Sequence, residues 1–271
     1  MKLDDLFGLN GKTALVTGGA TGIGRMASIG LATAGARVLI ASRKGEYCEN
    51  VASEINSMKL AGSVEGFRGD VSSENGIKLL IEEVKSRTVQ LNVLMNNAGR
   101  TWGAPLNSFP YAAWDDIFSV NVTGMFHLIQ GMTDLLSASA TEDNPSRIVN
   151  VGSVMGQIPM GDGAYSYAIS KSAVHQMTQI LAKELAHRNI TVNALAPGPF
   201  YSRMTKFAMG CGDAIERISK RIPAKRVGRP EDIAASILLL CGYGGSYITG
   251  CILPVSGGVN IATGPSIFGV D

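Results

Sequence analysis

The stretch GDGAYSYAISKSAVHQ places two tyrosines, Tyr165 and Tyr167, shortly before one lysine, Lys171. Residues four apart lie on the same face of a helix, so this spacing predicts that Tyr167 neighbours Lys171 and that Tyr165 points elsewhere. A free phenol titrates near pH ~10, and an adjacent ammonium group lowers that pKa by favouring the phenolate. The pair is therefore a candidate for general acid–base chemistry. Taken alone, a Tyr-x-x-x-Lys spacing more often reflects packing and a solvated amine.

Composition and charge exclude several classes of function. The chain has 271 residues, of which 45% are hydrophobic, and its formal net charge is +2. So small a charge does not indicate a nucleic-acid or membrane partner. The sequence shows no secretory signal and no apolar run of ~20 residues, so we expect a cytoplasmic protein. The four cysteines form no CxxC pair and the three histidines lack ligand-like spacing, so no metal site is expected.

Short β-branched apolar runs alternate with longer helical patterns along the chain. The predicted strands are KTALVTG, ARVLIAS, SVEGFRGD, LNVLMNNAG, SRIVNVGS and ITVNALAPG. This alternation predicts a doubly wound α/β fold of the Rossmann type, with a parallel sheet covered by helices on both faces. The first helix is expected to close at Gly35, and the second to span roughly Glu46 to Leu60. No linker or repeat is visible, so residues 1–271 are expected to form a single domain.

Ligands of such sheets bind where the strands end, and the first strand exit reads TGGATGIG. Glycines at this point allow the backbone to approach a pyrophosphate that is held at the start of the next helix. The loop therefore predicts dinucleotide binding, although an ordinary tight turn is the alternative. The predicted contacts in this loop are Gly18, Thr21, Gly22, Ile23 and Gly24.

The second strand exit discriminates between the two nicotinamide cofactors. An NAD site usually has an acidic residue there for the ribose hydroxyls, whereas this chain has Ser42, Arg43 and Lys44. Guanidinium and hydroxyl groups can bind the 2′-phosphate that a carboxylate would repel. These residues predict NADP(H), unless the two cations are simply solvated loop charges.

Seven short motifs follow one another in a recognisable order. They are TGGATGIG, GDV at Asp70, NNAG at Asn96, SVNVTG around Asn121, VGS at Ser153, YAISK and PGPFYS. Together they resemble the short-chain dehydrogenase/reductase family over nearly the whole chain. More narrowly, the chain resembles the 3-oxoacyl-carrier-protein reductase-type enzymes associated with rhamnolipid synthesis.

The resemblance implies a role for each matching residue. Tyr167 would protonate the carbonyl oxygen as hydride arrives from the nicotinamide, and Ser153 would orient and polarise that carbonyl. Lys171 would lower the pKa of the tyrosine and hydrogen-bond the nicotinamide ribose, while Asn121 would hold a water that links Lys171 to solvent. The resemblance assigns further cofactor contacts to Asp70, Val71, Asn97, Ala98, Gly99, Pro197, Gly198 and Ser202.

The segment expected to cover the substrate spans residues 200–223. Its side chains Met204, Phe207 and Met209 suit an acyl or ring substrate, or merely pack the lid. We expect an NADPH-dependent reductase of a 3-oxoacyl thioester or a similar keto compound. The alternatives are an NADP-dependent dehydrogenase of another secondary alcohol (a steroid, polyol or polyketide intermediate) and, more remotely, a non-catalytic dinucleotide-sensing protein.

Larger partners are suggested by charge and by apolar surface. Six basic residues between Arg217 and Arg229 could attract a carrier protein or a pantetheine phosphate, or could be a solvated surface. The resemblance also connects Arg188 with carrier-protein docking. The segment GMFHLIQGMTDLL is apolar on more than one face, which predicts a homo-oligomer, and the resemblance implies a homotetramer.

Overall fold

Strands and helices alternate in the computed structural model of the protein, which describes residues 2–160, 163–201 and 213–261. The first part contains α1 (Leu3–Phe7), β1 (Thr13–Thr17), α2 (Gly22–Thr33), β2 (Arg37–Ser42), α3 (Gly45–Ser57), β3 (Ser63–Arg68), α4 (Glu74–Arg87) and β4 (Val93–Asn96). The second part contains α5 (Ala112–Phe118), α6 (Met125–Ser139), β5 (Ser146–Val151), α7 (Tyr165–Leu185), β6 (Ile190–Pro197), α8 (Asp213–Arg221), α9 (Pro230–Cys241) and β7 (Ile252–Val255). All six predicted strands are present.

The strands of the described residues form one parallel sheet in the order β3-β2-β1-β4-β5-β6-β7. From β1 the chain winds outward to β3, crosses back to β4, and then winds outward in the opposite direction. This confirms the predicted Rossmann-like doubly wound α/β fold. The reversal between β1 and β4 opens a crevice at the carboxyl ends of these strands, which is where such folds bind ligands.

The edge strand β7 is missing from the strands predicted by sequence. Its four residues are mostly half-buried and include Pro254, which cannot donate a ladder hydrogen bond and is restricted to edge strands. β7 pairs only with β6, in a register that places Ile252 beside Ala194. A short, partly exposed strand with an internal proline shows none of the periodicity by which strands are detected.

Successive residues of the central strands face two different hydrophobic cores. In β1, Ala14 and Val16 pack with α2, α3 and α9, whereas Leu15 packs on the opposite face with α4, α6 and α7. All three side chains are fully buried. Burial on both faces is the reason that these strands read as continuous apolar runs.

A residue with a left-handed backbone conformation follows each of α2 and α3, the helices that connect β1 to β2 and β2 to β3. α2 ends at Thr33, two residues before Gly35, whose φ is +97°, so the predicted stop is confirmed. α3 ends at Ser57, short of the predicted Leu60, and Lys59 then adopts a φ of +55°, which cannot continue a right-handed helix. Across the described ranges, no helix is both long and apolar enough to cross a membrane.

Candidate active site

Tyr167 and Lys171 lie in the first two turns of α7, beside the carboxyl end of β5. Nζ of Lys171 donates a hydrogen bond to the carbonyl of Val151 at 2.7 Å and lies 5.6 Å from the centre of the Tyr167 ring. The ring of Tyr165 instead packs edge-on against Phe109, with ring centroids 5.3 Å apart. The structure thus places Tyr167, and not Tyr165, beside Lys171, as the spacing predicts.

Ser153 brings a second hydroxyl group to Tyr167. It follows β5 and caps a 3₁₀ turn, Val154–Gly156, where its Oγ accepts a hydrogen bond from the N–H of Met155 at 3.2 Å. The Ser153 hydroxyl also lies close enough to the Tyr167 phenol to lower its pKa. Two converging hydroxyl donors can both bind one carbonyl oxygen and stabilise the negative charge that develops there during reduction.

Burial alters the ionisation of both α7 residues. Lys171 is only 3% exposed, and loss of hydration lowers the pKa of its ammonium group to about 8. Burial raises the pKa of the Tyr167 phenol, and the hydrogen bond with Ser153 offsets only part of that rise. The phenol pKa is therefore raised overall and not lowered as expected, because burial dominates and the ammonium group is directed at the Val151 carbonyl.

Asn121 lies in a π-helical segment, Ser119–Gly124, that separates α5 from α6. Its Oδ1 accepts a hydrogen bond from the N–H of Arg100 at 2.8 Å, and its Nδ2 donates to the Arg100 carbonyl and to Oγ of Ser170, both at 3.0 Å. The side chain is fully buried. The side chain of Asn121 therefore ties the chain after β4 to α7.

The glycine-rich loop between β1 and α2 has the conformation that a close-bound phosphate group requires. Gly18 and Gly22 adopt φ values of +65° and +51°. A methyl group on Gly24 would lie 2.4 Å from the Gly18 carbonyl oxygen, so a side chain there would force the loop open. Thr21 precedes α2 without a side-chain cap, which leaves the N–H groups of the first turn, including that of Ile23, available to an anion.

The segment after β4 is fastened to this loop. The N–H groups of Asn97 and Ala98 both donate to Oγ1 of Thr17 at 3.0 Å, and Nδ2 of Asn97 donates to the carbonyls of Thr17 and Gly18. A methyl group on Gly99 would lie 3.7 Å from Nζ of Lys171. These contacts bring the glycine-rich loop and the acid–base residues to the same end of the sheet.

The exit of β2 presents a basic surface. Oγ of Ser42 lies 3.0 Å from Sγ of Cys48, and the exposed Arg43 and Lys44 follow Ser42 in the sequence. Among the described residues, neither of these two cationic groups has an ion-pair or hydrogen-bond partner. Both side chains are therefore accessible to solvent at the end of β2, and the charge of Arg43 helps to lower the pKa of the Asp70 carboxyl.

The other predicted cofactor residues line the same edge. Asp70 accepts hydrogen bonds from the N–H and Oγ of Ser72; although burial opposes the shift, these bonds and nearby arginines lower the pKa of its carboxyl group. The carbonyl of Val71 lies against Gly124, and Pro197 ends β6, with Gly198 directly after it. Ser202 falls outside the described residues, as do Met204, Phe207 and Met209 of the predicted lid.

Residues 12–209 match the short chain dehydrogenase family. The chain belongs to that family. It is 43% identical over 255 residues to a rhamnolipids biosynthesis 3-oxoacyl-(acyl-carrier-protein) reductase of Pseudomonas aeruginosa, which covers 94% of this chain and 98% of that protein. It is 36% identical to a 3-oxoacyl-(acyl-carrier-protein) reductase FabG of Thermotoga maritima, over 93% of this chain and 99% of that one. The solved Pseudomonas aeruginosa RhlG/NADP active-site complex superposes with a TM-score of 0.91 at 43% identity, over 94% of this chain and 99% of that one.

One basic residue near the predicted phosphate-binding residues of this short-chain dehydrogenase was not identified from the sequence. Arg68 ends β3 and pairs in register with Ser42 of β2, next to the start of α3. It is exposed, and it has no ion-pair or hydrogen-bond partner within the described part of the chain. The only sequence signal is a basic residue two positions before Asp70, which acquires meaning once β2 and β3 are known to be neighbours.

His175 is the second residue that the sequence reasoning missed in this short-chain dehydrogenase. It lies one turn beyond Lys171 on α7 and is buried, with 8% of its surface exposed. Its spacing from Tyr167 and Lys171, eight and four residues, was available in the sequence. The wide spacing of the three histidines bears only on metal binding and gives no signal for this role.

Proposed function

We propose that this short-chain dehydrogenase is an NADPH-dependent ketoreductase whose substrate is a 3-oxoacyl thioester or a similar keto compound. The observation that carries the proposal is the convergence of the Ser153 and Tyr167 hydroxyls beside buried Lys171, at the carboxyl edge of the sheet. The names of the two reductases that resemble the chain over nearly its full length support the thioester.

Each of these side chains has a defined task in the proposed reaction. Bound NADPH would supply the hydride. The Tyr167 phenol donates its proton to the carbonyl oxygen, and the Ser153 hydroxyl donates a hydrogen bond that orients and polarises the same oxygen. Lys171 binds the nicotinamide ribose and stabilises the phenolate that remains, while Asn121 holds the water through which the proton is replaced.

The glycine-rich loop and the first turn of α2 fit a pyrophosphate, because their geometry excludes side chains and leaves backbone N–H groups uncapped. We assign the adenine side of the cofactor to Asp70 and Val71, and the adjoining ribose to the segment from Asn97 to Gly99. Pro197 and Gly198 border the nicotinamide. Ser202 retains its proposed contact with the carboxamide or a phosphate.

The preference for NADPH is proposed to depend on Ser42, Arg43 and Lys44, joined by Arg68. Arg43→Asp should weaken NADPH binding by about tenfold to a hundredfold and leave NADH binding nearly unchanged, because a charge-assisted phosphate contact becomes a repulsion. Arg68→Gln should act in the same direction with a smaller effect. The measurement is the Kd of each cofactor, from titration of cofactor fluorescence.

Arg217→Gln is the matched control, since Arg217 is an exposed arginine on α8. It should change neither Kd. A wild-type protein that binds NADH more tightly than NADPH would overturn this interpretation of the β2 exit. Equal losses for both cofactors would instead show that Arg43 acts on a group they share.

The substrate class can be tested by following NADPH oxidation with three kinds of ketone. Acetoacetyl thioesters of CoA and of pantetheine should be reduced, and cyclic diketones and steroid ketones should be poor substrates. Turnover confined to steroid ketones, to the keto forms of polyols or to polyketide-like diketones would favour the alternative dehydrogenase. Tight NADPH binding without turnover of any ketone would favour the dinucleotide-sensing protein.

Two arginines of the basic surface that could bind a carrier protein already have acidic partners in the same chain. Arg188 pairs with Asp134, and Arg226 forms a bidentate pair with Asp232, so these charges are already partly compensated. Exposed pairs of this kind contribute about 1 kcal/mol or less and can be exchanged for an acidic partner. We propose that the thioester substrate is carried to the enzyme with its pantetheine phosphate near this surface.

We propose a cytoplasmic homotetramer. Buried, unpaired Cys48 and Cys241 suit a reducing compartment. On α6 and α7, Phe126, Ile169 and Ile180 are 39%, 49% and 54% exposed, which leaves apolar surface for another copy of the chain. Light scattering at micromolar concentration should give four times the chain mass of 28.5 kDa. A monomeric mass would contradict the proposal.

A further inference from the structure

His175 packs directly beneath the backbone on both sides of Ser153. A methyl group on Gly152 would lie 2.2 Å from Nε2 of His175, and one on Gly156 would lie 2.8 Å from its Cε1. Only glycine at these two positions lets the imidazole approach so closely. The ring therefore fills the space under the turn that begins at Ser153.

The imidazole also belongs to a set of contacts that attach this turn to α7. The carbonyl of Gly156 accepts a hydrogen bond from Oγ of Ser172 at 3.0 Å, and the imidazole of His175 lies close to the same glycine. Within the described residues, Nε2 of His175 is buried and has no partner at normal hydrogen-bond distance. The burial of the ring, together with the charge of nearby Lys171, lowers the pKa of His175 and keeps the imidazole neutral.

We propose that His175 is a positioning residue that holds the turn after β5 against α7 and thereby sets the distance between the hydroxyl groups of Ser153 and Tyr167. Both tyrosine and histidine project from the same helix, with Lys171 between them, so one rigid element supports the acid and the backbone of its hydroxyl partner. In this role His175 acts through the backbone turn and not through contact with substrate or cofactor. The proposal rests on the ketone reduction proposed above.

The test is a double-mutant cycle with Ser153. His175→Leu introduces an apolar side chain of similar volume and removes both ring nitrogens, and it should lower kcat by about tenfold, with the NADPH Kd unchanged. In a Ser153→Ala background the same substitution should lower kcat by less than about twofold, because the group that His175 positions is already absent. Equal losses in the two backgrounds would overturn the proposal, as would an unchanged kcat in the single variant.

Two further variants separate positioning from a general loss of folding. His175→Asn and His175→Gln place an amide donor near Nδ1 or Nε2, and at least one of them should restore kcat to within about threefold of wild type. Failure of both, with unchanged NADPH Kd and melting temperature, would overturn the proposal. His187→Leu, at an exposed histidine after α7, is the matched control and should have wild-type activity. An inactive wild-type enzyme would refute the ketoreductase proposal, whereas an active wild type with unaffected variants would refute only the role of His175.

Discussion

Replacing Tyr167 with phenylalanine should lower kcat for ketone reduction by about 10²–10⁴-fold, the usual contribution of general acid catalysis. The substitution keeps the ring in α7 and removes only the hydroxyl next to Ser153. The fold and the NADPH Kd should therefore be retained. Single-turnover measurement of NADPH oxidation, with cofactor binding measured in parallel, separates the loss of chemistry from a loss of binding.

Tyr165→Phe is the matched control, because Tyr165 is on the same helix but packs against Phe109. It should lose much less activity than Tyr167→Phe. Comparable losses would mean that both hydroxyl groups act on the substrate. A fully active Tyr167→Phe enzyme would refute the proposed mechanism.

The raised pKa of Tyr167 also predicts the direction of the pH profile. Reduction requires the protonated phenol, which burial preserves at neutral pH, so reduction should weaken only as alkaline pH ionises the phenol. Oxidation of the corresponding alcohol requires the phenolate and should strengthen over the same range. In the Tyr167→Phe enzyme, residual activity should lose this alkaline dependence.

Replacing Lys171 with methionine should have opposite effects on activity and on stability. Turnover and NADPH affinity should both fall, because the substitution removes the charge beside the phenol together with the proposed ribose contact. The free energy of unfolding without cofactor should rise. Burial lowers the pKa of Lys171 from 10.5 to about 8, which means that the charged lysine opposes folding. That difference corresponds to about 3 kcal/mol against the folded state, and loss of the hydrogen bond to Val151 reduces the expected gain to about 1–2 kcal/mol.

The stability gain should depend on pH with a defined sign. Below pH 8 the lysine is charged in both the folded and unfolded states, so the full burial penalty applies. Between about 8 and 10.5 the unfolded state binds more protons, so the wild type gains stability and the advantage of Lys171→Met shrinks. Urea unfolding at several pH values measures this difference.

Lys183→Met, at an exposed position on the same helix, is the control and should show no comparable pH-dependent gain. A Lys171→Met protein that is less stable than wild type at pH 7 would contradict the account. So would a gain in stability that does not change with pH.

Much of the architecture depends on residues close together in the chain, and the sequence was sufficient to predict it. The apolar runs of β1 to β6 and the left-handed Gly35 after α2 act through local conformation and burial. The four-residue spacing of Tyr167 and Lys171 determines their shared helix face in the same way. For such features, the physical cause lies within a few residues of its effect.

Other features depend on groups that only the tertiary structure brings together. The pKa of Lys171 and that of Tyr167 depend on desolvation by the surrounding fold, which outweighs the local pairing that suggested a lowered phenol pKa. Arg68 joins the basic surface because β3 pairs with β2, and His175 reaches Gly152 because α7 packs against the exit of β5. Electrostatic and packing energies depend on distance in space, so these assignments required the folded chain.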